Sequence, residues 1–206
     1  MNIAVSLQQF LQDQGPQFDL VPHKRTLHSS ESARACSIPE GNLAKAILVK
    51  RGNGYFLAIL PASCHLRLDE LRSRLDPSID LATEAEVARL FMDCELGSVP
   101  AIPAAYELEA VIDESLDGLN DIYFEGRDHC TLVHMTGREF QRLTAGYPHG
   151  RFGRRNHCSG ADRANTKPSD ENWRSNCEDV YFRCPASDRQ GICAPEGLIQ
   201  GRIEWL

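Results

Sequence analysis

The sequence predicts an α+β domain in which hairpin-connected strands pack against short helices. Three observations carry that expectation. Apolar segments recur between turn signals, as at 43–49 and 55–60 on either side of Gly52-Asn53-Gly54. Two Thr-x-x-Glu boxes, Thr83-Glu84-Ala85-Glu86 and Thr136-Gly137-Arg138-Glu139, mark helix starts. Strand and helix signals do not alternate strictly, which argues against a purely parallel βαβ sheet.

In chain order, residues 5–12 read as a short amphipathic helix stopped by Gly15-Pro16. Phe18-Asp19-Leu20-Val21-Pro22-His23 alternates as a first strand. The stretch 29–36 opens on serines suited to an N-cap, and its helix must end before Pro39. The strand 43–49 follows, then its hairpin partner 55–60. Helices are expected at 69–75 and from Thr83 to Phe91, and a loop rich in Gly and Pro spans 97–103. Strands at 107–113, 121–125 and 131–135 come next, and a last helix runs from Thr136 to near Ala145-Gly146.

Beyond Gly150 the character changes. Residues 151–206 are rich in Arg, Asn, Ser, Asp and Cys and lack sustained periodicity; only Asp179-Val180-Tyr181-Phe182 and Gly197-Leu198-Ile199 look able to pair or pack. The expected division is a folded domain over 1–150 and a poorly ordered, cysteine-containing extension over 151–206. A small cysteine-stapled module is the alternative for the second part.

At 206 residues, with 42% hydrophobic and 25% charged residues, the chain fits one soluble domain, or one domain plus an appendage. It has no apolar run near the roughly 18 residues of a membrane span. Its first residues lack the basic start of a secretory signal, so a cytoplasmic location without membrane partners is expected. A net charge of −7 excludes a general nucleic-acid binder, DNA included, held by an overall basic surface. Any polyanion must instead meet a local patch, for which Lys24, Arg25, Lys45, Lys50, Arg51, Arg67, Arg72 and Arg74 are candidates. Cys36, Cys64, Cys94 and Cys130 stand singly and are expected to be reduced and at least half-buried. The spacing of Cys158, Cys177, Cys184 and Cys193 matches no zinc knuckle or ribbon, so neither a metal nor a cofactor is expected.

Familiar nucleotide-loop, serine-hydrolase and zinc-protease motifs are missing. Three segments could carry chemistry. Lys45 lies in Leu43-Ala44-Lys45-Ala46-Ile47-Leu48-Val49, which is apolar on both faces of a strand and so reads as central. An ammonium there must snorkel out, find a partner or line a site for an anion. The loop 97–103 combines a flexible glycine with two prolines that fix φ and can hold backbone groups rigidly against a ligand. Asp128-His129 sits in a tight turn between strands, where a histidine could orient a water or a hydroxyl.

The ordered succession Leu43-Ala44-Lys45-Ala46, Leu60-Pro61-Ala62-Ser63, Thr83-Glu84-Ala85-Glu86-Val87, Gly97-Ser98-Val99-Pro100 and Tyr123-Phe124-Glu125-Gly126 with Asp128-His129 resembles the YbaK/prolyl-tRNA synthetase-associated editing-domain family. The resemblance extends from Val5 to His149. It implies a mixed, largely antiparallel curved sheet around a pocket with flanking helices. It also implies an aminoacyl-tRNA deacylase that hydrolyses the ester of mischarged tRNA in trans, with that tRNA and a synthetase as partners. By the same resemblance Lys45, Gly97 and His129 are the catalytic candidates. Ser98, Val99, Pro100, Ala101 and Asp128 are the substrate-binding ones.

Two positions depart from the family pattern. Ala101 stands where a proline usually closes the loop, and Arg127 stands where a second glycine usually precedes the Asp-His pair. An activated ester needs only a positioned water and a stabilised oxyanion, which fits a chain with no visible nucleophile triad. A small pocket would act as a size sieve. Two other readings stay open: a non-catalytic tRNA- or synthetase-binding module, and a regulatory domain that binds a small anionic metabolite.

Overall fold

The computed structural model of the chain describes residues 3–155. The expectations placed on Cys158, Cys177, Cys184 and Cys193, and on 179–182 and 197–199, lie outside the described residues.

Helix α1 (Val5–Gln14) buries Leu7 and Leu11 and stops at Gly15, whose left-handed φ of 63° lets its N–H return to the Leu11 carbonyl. Strand β1 (Asp19–Pro22) and helix α2 (Ser29–Ala35) follow. The cap of α2 differs from expectation: His28 holds that position in extended backbone, and both serines fall inside the first turn. Glu31 accepts from the Leu27 N–H at 3.2 Å. Strands β2 (Leu43–Arg51) and β3 (Gly54–Pro61) form the expected hairpin, in register from Ala44–Pro61 to Arg51–Gly54.

Next come β4 (Cys64–Leu66), α3 (Leu68–Arg74), β5 (Asp80–Leu81) and α4 (Glu84–Leu90). The full capping box of α4 forms, with Thr83 and Glu86 each satisfying the other's backbone N–H. Strands β6 (Glu109–Asp113), β7 (Asp121–Glu125) and β8 (Thr131–Thr136) precede α5 (Gly137–Thr144). Thr136 caps α5 through the Glu139 N–H, while the Glu139 carboxylate turns to Arg142. The short strands β9 (His149–Gly150) and β10 (Gly153–Arg155) close the described chain.

Among the described residues the main sheet is open and mixed, ordered β1-β8-β7-β2-β3-β6-β9 with β5 added to β2; β4 and β10 form a separate antiparallel ribbon. Pairings β2–β7, β3–β6 and β6–β9 are parallel and the rest antiparallel. The strand alternation splits the core cleanly. Ala44 and Leu48, Leu57 and Ile59, Ile122 and Phe124, and Val133 and Met135 face one side, where α1 and α5 cover them in one large cluster. The opposite side carries two smaller clusters. One holds Leu43 with Ala33 of α2, and the other holds Val49 and Leu60 with Leu71 of α3.

The fold does not end at Gly150. Phe152 is buried, and the Asp113 carboxylate accepts from the Phe152 and Gly153 N–H groups at 3.0 and 2.7 Å. No helix among the described residues is long and apolar enough to cross a membrane.

Candidate functional site

Lys45 sits on the central strand β2, between β7 and β3, on the face that carries the two smaller clusters. Leu43 lies in one of those clusters and Val49 in the other, so the lysine occupies the break between them. It makes no ion pair among the described residues. Burial pushes the Lys45 ammonium below its ordinary value, partly offset by Cys64 and Glu40. Glu40 is itself paired with Arg34 at 3.3 Å.

Glu125 was given no role from the sequence, yet it is a second buried charge on this side of the sheet. It follows Tyr123 by two residues on β7, so it points to the same side as Leu43 and Lys45, one register step beyond the Ala44–Phe124 pair. It is only 4% exposed. Its Oε1 accepts from the Ser32 hydroxyl at 2.8 Å, and Ser32 in turn meets Thr26 at 2.7 Å. Its Oε2 is buried without a partner among the described residues. Burial raises the Glu125 carboxyl above the usual glutamate value, against the bond from Ser32 and the influence of His129 and His23. The signal that could have found it is the one that found Lys45, a charge within an apolar strand.

The loop and the turn come together. His129 is 5% exposed and adopts a left-handed φ of 56°. Its Nε2 lies 2.7 Å from the Leu96 carbonyl, which can only accept, so Nε2 carries the proton. Gly97 follows at φ 87°, and a Cβ there would sit 3.2 Å from the His129 ring. Thus glycine is favoured twice over, by backbone conformation and by the imidazole packed on it.

Ser98 is buried, and the single proton of its hydroxyl lies within reach of two acceptors, the carbonyls of Glu95, at 2.9 Å, and of Arg127. The Glu95 N–H also donates to the Arg127 carbonyl at 2.8 Å. Asp128 accepts from the Cys130 N–H at 3.0 Å, closing the turn. The segment after β1 clamps it from outside, with Thr26 N–H bonded to the His129 carbonyl and Arg25 bonded to the Asp128 carbonyl.

Val99 and Ala101 belong to the large cluster, and Pro100 is buried beside them. Their side chains therefore anchor the loop in the core. Both departures from the family pattern are accommodated. Arg127 does not adopt positive φ, so its side chain costs no backbone strain, and the contacts it makes to Glu95 and Ser98 go through its carbonyl. Ala101 fills a fully buried core position.

The expected positive patch is largely neutralised. Arg25, Lys50, Arg51, Arg67, Arg72 and Arg74 each pair with a carboxylate. Two of the cysteines are disfavoured as thiolate nucleophiles. Burial pushes the Cys94 thiol up to about 12 and raises that of Cys36. Among the described residues no cluster of His, Cys, Asp or Glu has a metal-binding arrangement.

With this geometry in view, residues 22–143 match the family model described as the aminoacyl-tRNA editing domain. No curated protein matches the chain. Solved structures share its fold at low identity. One provisionally assigned as a trans-editing enzyme for prolyl tRNA synthetase is 23% identical with a TM-score of 0.62, covering 72% of this chain and 95% of that one. The hypothetical protein APE2540 is 21% identical with a TM-score of 0.64, covering 72% and 99%. A provisionally described signal transduction protein from Marinobacter aquaeolei VT8 is 23% identical with a TM-score of 0.59, covering 74% of this chain and 31% of its own length.

Proposed function

The chain belongs to the aminoacyl-tRNA editing domain family, and from that premise we propose that it is a deacylase that hydrolyses the ester of mischarged tRNA in trans. The observation that carries the reading is Lys45, an ammonium without an ion pair among the described residues, set in the break between two apolar clusters. An anion is the partner such a group lacks, and the terminal phosphate of an aminoacyl-tRNA supplies one.

In the proposed reaction Lys45 anchors that phosphate and the ester carbonyl lies against the loop at Gly97, Ser98, Val99, Pro100 and Ala101. Water adds to the carbonyl carbon, and a backbone N–H of the loop stabilises the oxyanion. Collapse breaks the bond to the ribose oxygen, which takes a proton and leaves as the tRNA hydroxyl, freeing the amino acid. His129 acts by position: its Nε2–H grips the Leu96 carbonyl and so fixes Gly97. Asp128 holds the turn that presents His129. With no strong nucleophile needed, an activated ester suits a site whose parts are positioning groups.

The test incubates the full chain with tRNAs charged with alanine, cysteine, serine or threonine and follows ester loss. Release from at least one supports the deacylase. No release at enzyme excess would leave a non-catalytic binding module as the better reading. A cytoplasmic setting and a synthetase partner belong to this proposal and follow from the same reaction.

A further inference from the structure

The β4–β10 ribbon differs from the rest of the described surface. Its six residues are Cys64, His65, Leu66, Gly153, Arg154 and Arg155, and none is acidic. Arg154 stands opposite His65 and Arg155 opposite Cys64, with both arginines and His65 exposed. Arg154 and Arg155 form no ion pair among the described residues, whereas Arg25, Arg34, Arg51, Arg67, Arg72, Arg74, Arg142 and Arg151 each meet a carboxylate, in a chain of net charge −7.

The ribbon is also firmly built. Besides the two bonds to Asp113, the Arg67 N–H donates to the Phe152 carbonyl at 2.8 Å, and Phe152 is buried in the cluster with Leu71. A Cβ at Gly153 would lie 3.0 Å from the Asp113 carboxylate and 3.1 Å from Cys64 Cβ, so the strands close tightly there. The ribbon borders the Lys45 site. Ala44 pairs with Pro61, the chain enters β4 three residues later, and Cys64 acts electrostatically on Lys45.

We propose that this ribbon binds the phosphate backbone of the tRNA acceptor arm, through Arg154 and Arg155, while the ester end reaches Lys45. The proposal rests on the editing reading and adds a surface to it. Guanidinium groups suit the task because each can take a phosphate through two parallel N–H bonds. The ribbon fixes their backbone, and because consecutive strand residues leave it on opposite faces, each guanidinium takes its own phosphate.

The experiment compares the full wild-type chain with R154A/R155A and R154K/R155K. Binding of uncharged tRNA is followed by fluorescence anisotropy between about 50 and about 200 mM salt, where phosphate contacts dominate the dependence. Hydrolysis is measured on a mischarged tRNA and on a short aminoacylated oligonucleotide ending in CCA. The alanine variant should bind about 10-fold more weakly, with a log–log salt slope shallower by about 2. Its KM for the tRNA should rise while kcat and turnover of the short substrate hold. The lysine variant should keep most of the slope. Unchanged affinity and slope in the alanine variant, or no tRNA binding by the wild type, overturns the ribbon. Loss of hydrolysis in the wild type with salt-dependent binding retained overturns the editing reading and leaves the ribbon standing.

Discussion

The two faces of the central sheet solve different problems. The face under α1 and α5 carries one continuous apolar cluster that runs from Ile3 to Leu143. The other face carries two clusters, with Lys45 in the gap between them and Glu125 on the same side of the sheet. A continuous core maximises burial. A divided one leaves room for charged groups that destabilise the fold by themselves, because burial disfavours the charged form of each. The interrupted face can hold a charge such as Lys45, while the continuous core supplies stability and anchors the loop through Val99 and Ala101.

The largest contrast should come from exchanging one residue on each face. Phe140→Ala empties a buried site in the large cluster and should destabilise the protein by about 3–5 kcal/mol in denaturant melts, with little effect on activity per folded molecule. Lys45→Met should do the reverse, lowering kcat/KM for a mischarged tRNA about 100-fold while stability holds or rises. Equal loss of activity in both, or a large destabilisation by Lys45→Met, would break the comparison.

A smaller effect is expected at Gly97. Alanine there must adopt a φ of 87° and meet the His129 ring at 3.2 Å, costing about 1–3 kcal/mol. Because the strain falls on the loop, kcat should drop more than the melting midpoint. A loss confined to stability would mean that the loop does not touch the substrate.

The smallest effect concerns pH. The folded state raises the Glu125 carboxyl above its ordinary 4.5, so folding favours the protonated form. The stability linked to this group is therefore fully present below pH 4.5 and is lost as pH climbs through the raised folded value. Glu125→Gln should flatten that part of the stability–pH curve, measured by urea midpoints across the acid to neutral range. An identical slope in the variant would show that another group sets it.

Much of this was legible in the sequence because it rests on local rules. The period-two segments and turn signals placed β2, β3, β7 and β8, and the threonine boxes placed α4 and α5, since capping and alternation act within a few residues. The short strands β4, β5, β9 and β10 were not legible. Two or three residues carry no periodicity, and these strands exist through partners far along the chain. The α2 cap was misplaced because serines satisfy a helix start at several positions and tertiary contacts chose His28.

For the site, the sequence by itself determined that Lys45 is a charge on a central apolar strand, since alternation and composition suffice for that. It also marked Gly97 as a conformationally free position and placed His129 in a tight turn between strands. Only the tertiary structure decided that His129 grips the Leu96 carbonyl, that Val99 and Ala101 anchor the loop in the core, and that Glu125 shares the lysine's face. It also decided which arginines are neutralised and which are left exposed on the last ribbon. Those outcomes depend on which distant residues approach within hydrogen-bonding or van der Waals range, and spacing along a chain does not encode that distance.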